Sequence, residues 1–196
     1  MRGGAYADSE IVRLKKHHRR LFERFDLETD TVPIREEQVR FAYRELFNGK
    51  ARMLLPETFA QMPEELARLR YLSEHRPRLI LTGKNPTENI GISCVARDGR
   101  DLQEALTMMR DAVRQSTPES AFYESGEIAA NDLEGYWFEY KSFTINAEAY
   151  NLQFLLASKQ TILLGVFNCC IRHFEDWKPF IIKLLAYTKI FDGRAL

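Results

Sequence analysis

The sequence predicts an α+β fold: an antiparallel sheet of about six or more strands, packed by two main helices, with an N-terminal amphipathic helical extension. The main observation is that residues 121–171 form four successive runs with a period of two, separated by short polar connections. Such connections imply antiparallel neighbours, because parallel strands need a long crossover. Segments 101–116 and 174–188 instead space their apolar residues by three and four, which is typical of helices.

The N-terminal segment predicts one amphipathic helix over residues 9–25, beginning at Ser9, a residue type that caps helices well. The apolar stripe consists of Ile11, Leu14, His18, Leu21, Phe22 and Phe25, and a second face carries Arg13, Lys16, Arg20 and Arg24. Residues 26–38 break this pattern with charge, threonine and proline, as a linker does. We therefore expect an extension with its linker over 1–36 and one α+β domain over 37–196.

The first half of the domain predicts two pairs of strands. Alternating runs on either side of Asn48-Gly49 favour a hairpin, because both residues tolerate positive φ, and Pro56 ends the second run. Residues 62–74 fit either a short helix or an irregular excursion. Residues 76–96 predict two further strands joined by a turn at 84–87.

The helix over 101–116 begins with a capping-box pattern, Asp101 followed by Glu104. Its apolar face is formed by Leu102, Ala105, Leu106, Met109 and Val113. The four alternating runs cover 121–132, 133–146, 147–158 and 160–171. The last run is apolar at nearly every position, which predicts a central strand covered on both faces.

A closing helix follows the last strand. Asp176 is its predicted cap, and Pro179 fits within a first turn, where its missing N–H costs nothing. Its buried face is expected to consist of Trp177, Phe180, Ile181, Leu184 and Leu185. Full burial of Trp177, Phe180 and Leu184 contributes roughly 1.5–3 kcal/mol each, so this helix stabilises the fold.

Three stretches carry a family resemblance. They are "KARMLLPETFAQM", "NIGISCVARDG" and "LLGVFNCCIRHFEDWKPFIIKLL", and together with the order of elements they make residues 39–192 resemble the PsbP-like fold. That group includes an extrinsic photosystem protein, a Ran-binding nuclear import factor and the DcrB-type bacterial proteins. The resemblance implies a binding or assembly module without a shared catalytic set, and it assigns no role to individual residues.

Charge and composition restrict the class of partner. Lys and Arg total 28, as do Asp and Glu, so no overall field attracts nucleic acid, a membrane or an acidic substrate. No apolar run approaches the roughly 18 residues of a membrane span, and the N-terminus lacks the apolar core of a signal peptide. Three cysteines do not make a disulfide framework. We expect a cytoplasmic, bacterial-type protein that does not insert into membranes.

The adjacent pair Cys169-Cys170, with His173 three residues later, is the first candidate for chemistry. Neighbouring residues of a strand point to opposite faces, so both thiols cannot reach one metal within a strand. The preferred interpretation is core packing, since cysteine is often a small buried hydrophobe. A reactive thiol at Cys170 activated by His173 is the second alternative, and a metal site completed by Cys94 is the third.

No other motif predicts catalysis or a cofactor. "TGKNPTENIG" lacks the glycine and the Ser/Thr of a Walker A loop, since Arg78 and Asn85 occupy those positions. The acid pairs Glu124/Glu127 and Glu134/Glu139 are expected on a solvated surface. The sequence thus indicates no cofactor, no metal site and no catalytic set.

Two surfaces are candidates for interaction. The first is the N-terminal helix, through Arg13, Lys16, Arg20, Leu21, Phe22 and Phe25, which docks on its own domain or on another chain. The second is "GYWFEY", where alternation places Tyr136, Phe138 and Tyr140 on one face and Trp137 on the other. One of these faces packs under a helix, and the other, with Trp137 or Tyr140, is a candidate recognition surface.

The function predicted from these observations is a non-enzymatic protein-binding or assembly module. Its N-terminal helix would mediate docking or self-association. The alternative is a small-ligand-binding protein or an enzyme with a cleft between sheet and helix. A third hypothesis, which the balanced charge argues against, is nucleic-acid binding through the basic helix.

Overall fold

A computed structural model of the chain describes residues 4–71, 76–130, 132–143 and 147–193, with side chains described from residue 13 onward. Its helices are α1 (Gly4–Arg24), α2 (Glu64–Arg70), α3 (Leu102–Ser116) and α4 (Phe174–Ala186), the last preceded by a 3₁₀ turn (Ile171–His173). Its strands are β1 (Val32–Ile34), β2 (Glu37–Val39), β3 (Phe41–Leu46), β4 (Ala51–Pro56), β5 (Ala60–Gln61), β6 (Leu79–Thr82), β7 (Asn89–Ala96), β8 (Ala121–Glu127), β9 (Glu134–Phe143), β10 (Glu148–Ala157), β11 (Thr161–Cys170) and β12 (Lys189–Ile190).

The main sheet contains seven of the described strands, in the order β5-β6-β7-β11-β10-β9-β8, and every neighbouring pair is antiparallel. The predicted α+β class is therefore confirmed, as is the meander from β8 to β11. β11 is the middle strand of the seven, as its continuous apolar run predicts.

The two faces of the main sheet are covered by different elements. On one face, α3 lays the predicted apolar residues against β9, β10 and β11. On the other face, α4 packs in the principal hydrophobic core together with a second sheet of strands β12-β4-β3. The side chains predicted for the buried face of α4 are at most 2% exposed.

α1 lies on the outside of α4, and the chain then returns into the core. Residues 26–38, which resemble a linker in sequence, include β1 and most of β2, which pair as a hairpin, and Leu27, Val32 and Ile34 are buried in the principal core together with Val39 at the end of β2. Proline and charged residues end the helical spacing in this segment, but its remaining hydrophobic residues are still buried. The domain boundary between 36 and 37 falls in the turn of this hairpin and stays a prediction.

Two helix starts differ from the sequence prediction. α1 begins at Gly4, so Ser9 lies within the helix and does not cap it. α4 begins at Phe174, directly after the 3₁₀ turn, and His173 occupies the cap position. Asp176 is consequently the third residue of the helix. Its negative charge there interacts favourably with the helix dipole, but the residue does not cap the helix. Pro179 lies in the second turn and not in the first.

The other local signals are confirmed. Asn48 and Gly49 have φ of 56° and 80° in the turn that joins β3 to β4, and β4 ends at Pro56. Asp101 caps α3, since its carboxylate accepts a hydrogen bond from the backbone N–H of Glu104 at 2.9 Å. The excursion after Pro63 is helical, as one of the two alternatives predicted.

Candidate functional site

A polar pocket opens on the face of the main sheet that carries α3. None of its lining residues belongs to α3, so it lies beyond the part of the sheet that this helix covers. Its volume is about 610 Å³, within the roughly 300–1,000 Å³ typical of ligand pockets. We call it the asparagine pocket, and its lining residues are Arg70, Tyr71, Asn85, Thr87, Asn89, Ser142, Ala147, Glu148, Ala149, Asn151, Asn168, Cys169, Cys170, Arg172 and His173.

The floor of the asparagine pocket is a row of three asparagines on adjacent strands. Asn89 of β7 pairs in register with Asn168 of β11, which pairs in register with Asn151 of β10. The Asn168 Nδ2 donates to the Asn151 Oδ1 at 2.6 Å. The hydroxyl of Tyr71, in the segment after α2, donates to the Asn168 Oδ1 at 3.0 Å. The floor is therefore a row of uncharged side-chain amides, of which those of Asn168 and Asn151 are hydrogen-bonded to each other.

The amide of Asn151 completes this row at the β9 side. Its Nδ2 donates to the Ser142 Oγ at 2.9 Å and lies 3.3 Å from the backbone oxygens of Tyr140 and Ala149. Hydrogen bonding along the row fixes which end of each amide is the donor, because every Nδ2 points to an oxygen. The orientation of the floor is thus determined by the protein itself.

Asn89 is the exception in this row. Only 5% of the residue is exposed, and its Nδ2 donates to the backbone oxygen of Pro86 at 3.1 Å. Its Oδ1 is buried and has no hydrogen-bond partner among the described residues. An unsatisfied buried acceptor costs about 1–3 kcal/mol, so a ligand that donates a hydrogen bond here gains more than it gains at a satisfied atom.

The predicted thiol candidates lie at one end of the asparagine pocket. Cys169 and Cys170 point to opposite faces, as alternation predicts: Cys169 is 1% exposed in the principal core, and Cys170 is half-buried. Burial raises the pKa of Cys169 well above its usual value. The pKa of Cys170 is lowered, chiefly because the backbone N–H of Arg172 donates to its sulfur, with a further contribution from the Arg172 side chain.

His173 lines the same end of the pocket, in the 3₁₀ turn after β11. Its Nδ1 is buried without a hydrogen-bond partner among the described residues and lies 3.7 Å from Oε1 of the buried Glu88. Arg35 contacts the same Glu88 oxygen at 3.3 Å. Burial lowers the pKa of His173, and the charge of Arg35 adds to this effect. No hydrogen bond joins His173 to Cys170 within the described part of the chain, so the residues share a pocket without forming a contacting dyad.

The predicted interaction residues of α1 divide into two groups. Leu21 and Phe25 pack against the principal core of the same chain, and the Phe25 ring lies 6.1 Å from that of Phe180 in α4. Phe22 is 38% exposed, with its backbone oxygen accepting a hydrogen bond from Lys183 at 2.7 Å. The basic residues are exposed to solvent, and they are Arg13, Lys16 and Arg20. Leu21 and Phe25 thus dock on the same chain's own domain, and Ile11 of the predicted stripe lies outside the described side chains.

Trp137 and Tyr140 are placed inside the fold, on the opposite faces that alternation predicts. Each is 8% exposed. Trp137 belongs to the principal core, and Tyr140 packs under α3 with Phe138 and Val113. The Tyr140 hydroxyl accepts a hydrogen bond from the Gln153 Nε2 at 3.2 Å. Neither face of "GYWFEY" presents a large exposed aromatic surface, and their role in recognition stays a prediction.

Glu139 belongs to a buried charge cluster, although the sequence predicts this residue on a solvated surface. Glu139 is 3% exposed, and Lys178 donates to it at 2.9 Å and to Glu124 at 2.8 Å. The expectation that these acids lie on a solvated surface is therefore wrong for Glu139. Strand alternation indicates the burial of Glu139, because it places this residue on the same face as Trp137, which is the face that α4 covers.

Across the described part of the chain, no group of three or more His, Cys, Asp or Glu side chains has the arrangement of a metal site. Among the helices of the described residues, none has the length and apolarity that a membrane crossing requires.

Comparison with known proteins identifies the fold. No protein-family model matches the chain, and no curated protein matches its sequence. Solved structures do match. The solution structure of cyanobacterial PsbP (CyanoP) from Synechocystis sp. PCC 6803 is 7% identical, with a TM-score of 0.58, over 77% of this chain and 92% of that chain.

Two further structures match over most of the chain. LpqN of Mycobacterium tuberculosis, described as involved in cell envelope biogenesis, is 9% identical, with a TM-score of 0.51, over 83% of this chain and 98% of that chain. PA94 of Pseudomonas aeruginosa, a protein of unknown function described as a putative regulator, is 10% identical, with a TM-score of 0.46, over 80% and 99%. The likeness to CyanoP and LpqN shows that the chain has the PsbP-like fold, as its sequence predicts.

Proposed function

We propose that this protein is a non-enzymatic binding module of the cytoplasm, and that it holds a segment of a partner protein in the asparagine pocket. The observation that carries the proposal is the partnerless Oδ1 of Asn89 in a pocket floored by side-chain amides. A side-chain amide offers the same donor and acceptor as a peptide unit, so such a floor is complementary to a peptide backbone.

Two observations support the non-enzymatic and cytoplasmic parts of the proposal. Within the described residues, the thiol of Cys170 and the imidazole of His173 make no hydrogen bond, whereas a nucleophile and its base normally lie within reach of one. All three cysteines of the chain are free thiols, which suits a reducing compartment.

Parallel affinity purification of three tagged proteins from native cells tests the proposal. We expect wild type and Gln115→Ala, whose amide is exposed on α3, to recover the same partner. Asn89→Ala removes the partnerless acceptor, so recovery should fall at least tenfold; because the variant also loses the hydrogen bond from Asn89 Nδ2 to Pro86, its melting temperature is measured to confirm that it is folded. Equal recovery by all three proteins overturns the assignment of the pocket, and recovery of no partner by wild type overturns the protein-binding function.

A second candidate surface is the basic face of α1. Lys16 and Arg20 are exposed while Leu21 and Phe25 of the same helix pack against the principal core, so this face can meet an acidic partner. The double variant Lys16→Glu/Arg20→Glu, added to the same purification, separates the two surfaces. Loss of the partner from this variant and not from Asn89→Ala assigns binding to α1, and a partner that proves to be nucleic acid restores the third hypothesis.

A further inference from the structure

We infer that the asparagine pocket recognises the free C-terminal carboxylate of its partner chain. This inference rests on the proposed function and specifies which part of the partner enters the pocket. Two features carry it: the charge at the rim of the pocket, and the partnerless acceptor on its floor. Each feature restricts the ligand in a different way, and one chemical group satisfies both.

The rim carries uncompensated positive charge. Arg70 and Arg172 line the pocket, and within the described part of the chain neither guanidinium forms an ion pair, although Arg70 donates a hydrogen bond to the backbone oxygen of Pro86. The single lining carboxylate, Glu148, is neutralised by Lys141 at 3.0 Å. Guanidinium groups bind carboxylates through paired, charge-assisted hydrogen bonds, so this rim favours an anionic ligand.

The floor excludes a ligand that is only an anion. The buried Asn89 Oδ1 is an acceptor and needs an N–H or O–H donor, and a deprotonated oxyanion placed there repels it. A C-terminal residue supplies both requirements within one unit: its carboxylate accepts from the guanidinium, and its backbone N–H donates to the amide oxygen. The backbone of an internal peptide segment supplies the donor but not the anion.

The size of the pocket favours a peptide over a free amino acid. A free amino acid has the same carboxylate beside an N–H donor, but it fills only a small part of about 610 Å³. The remaining floor, formed by the amides of Asn168 and Asn151, then stays unused. A peptide of several residues extends along this row and fills more of the pocket.

Affinity selection with mass-spectrometric readout tests the inference. The probes are an equimolar mixture of random-sequence tetrapeptides with free C-termini, the same mixture amidated at the C-terminus, and an equimolar mixture of free amino acids. We expect at least tenfold enrichment of the free-carboxylate peptides over both other mixtures. Arg172→Gln should abolish the enrichment, and Arg100→Gln, at an exposed loop arginine outside the pocket, should retain it.

Each other result overturns the inference. Equal enrichment of amidated peptides shows that the carboxylate is not recognised. It leaves the proposed protein-binding function standing, which the purification with Asn89→Ala tests separately. Equal enrichment of free amino acids identifies a small-molecule site. Absence of enrichment, or enrichment that survives Arg172→Gln, excludes recognition by the rim. Because Arg172 is exposed, thermal unfolding of its variant should match wild type, and this control excludes a folding defect.

Discussion

Lys178 of α4 and Glu139 of β9 form a buried ion pair across the principal core, with 2.9 Å between Nζ and Oε1. Only 8% of Lys178 and 3% of Glu139 is exposed. Both side chains make further hydrogen bonds: the Tyr150 hydroxyl donates to the second oxygen of Glu139, and Lys178 donates to Glu124. α4 is thus held to the sheet by a polar cluster inside an otherwise apolar interface.

Removing one member of this pair should destabilise the protein strongly. Lys178→Met leaves the Glu139 carboxylate buried without its counter-charge, and such a change typically costs about 3–5 kcal/mol. Denaturant unfolding followed by circular dichroism measures the loss. Lys159→Met, at an exposed lysine, is the matched control and should change stability by less than about 0.5 kcal/mol.

The double variant Lys178→Met/Glu139→Leu separates pairing from burial. If the cost arises from an uncompensated charge, the double variant is more stable than the single lysine variant, because no isolated carboxylate remains opposite α4. A loss below about 1 kcal/mol for Lys178→Met, or a double variant less stable than the single one, contradicts this account of the core.

His18 should make the stability of the protein depend on pH where α1 meets α4. Its pKa is lowered to about 4, chiefly by burial and next by the charges of Lys178 and His17. The unfolded chain therefore binds a proton near pH 6.5 that the folded chain takes up only near pH 4, so stability falls as the pH decreases through this window. A shift of this size corresponds to about 3 kcal/mol at most, and partial exposure reduces it to about 1–2 kcal/mol.

His18→Leu, measured beside wild type from pH 7.5 to 5, tests this origin. The leucine variant should lose most of the decrease in stability between pH 6.5 and 5, since no proton is taken up on unfolding at that position. His17→Leu, at the exposed neighbouring histidine, should retain it. Glu124, whose pKa is lowered to about 2 mainly by its hydrogen bond from Lys178, contributes only below about pH 4.5. An unchanged slope in His18→Leu rules out His18 as the source.

The sequence predicts the main sheet and its helices well because each is governed by a local period. β8 to β11 follow an alternation of two with short connections, and α3 follows a helical spacing with a cap. The asparagine pocket has no such local signal. Asn89, Asn151 and Asn168 become neighbours only through the register of three strands, and strand register depends on packing over the whole sheet.

Alternation indicates the buried face for Glu139, but no local pattern predicts that Lys178 pairs with it. Lys178 and Glu139 are 39 residues apart, and a charged residue beside Trp177 and Pro179 resembles the solvent face of a helix. α4 begins earlier than predicted for a related reason. The 3₁₀ turn leads directly into the helix at Phe174, so Asp176 lies inside the helix and not at its cap position. Non-local contacts, and not residue type, decide these positions.

Asp101 should contribute to stability as the cap of α3. Its carboxylate accepts the Glu104 backbone N–H, which otherwise has no partner within the helix. Asp101→Ala should cost about 1 kcal/mol in denaturant unfolding. Asp111→Ala removes a carboxylate from the exposed middle of the same helix, where it contacts only Arg114, and should cost less than about 0.5 kcal/mol. Equal losses for the two variants contradict the capping role.

Cys170 should be the cysteine that reacts with iodoacetamide in the folded protein. It is half-buried at the asparagine pocket with a lowered pKa, whereas burial raises the pKa of both Cys94 and Cys169. Since the thiolate is the reactive form, its alkylation rate should rise with pH around a midpoint below the value of about 8.5 for a free cysteine. Peptide mapping by mass spectrometry after a short exposure identifies the labelled residue.

Two variants show what lowers the pKa of this thiol. Cys170→Ser should abolish labelling of the folded protein, and the other two cysteines should react only after denaturant is added. Arg172→Gln removes the side-chain contribution but keeps the larger one from the backbone N–H, so the midpoint should rise while labelling persists. Labelling that requires denaturant in wild type excludes a reactive Cys170, and equal labelling of Cys169 contradicts the placement of the two thiols on opposite faces of β11.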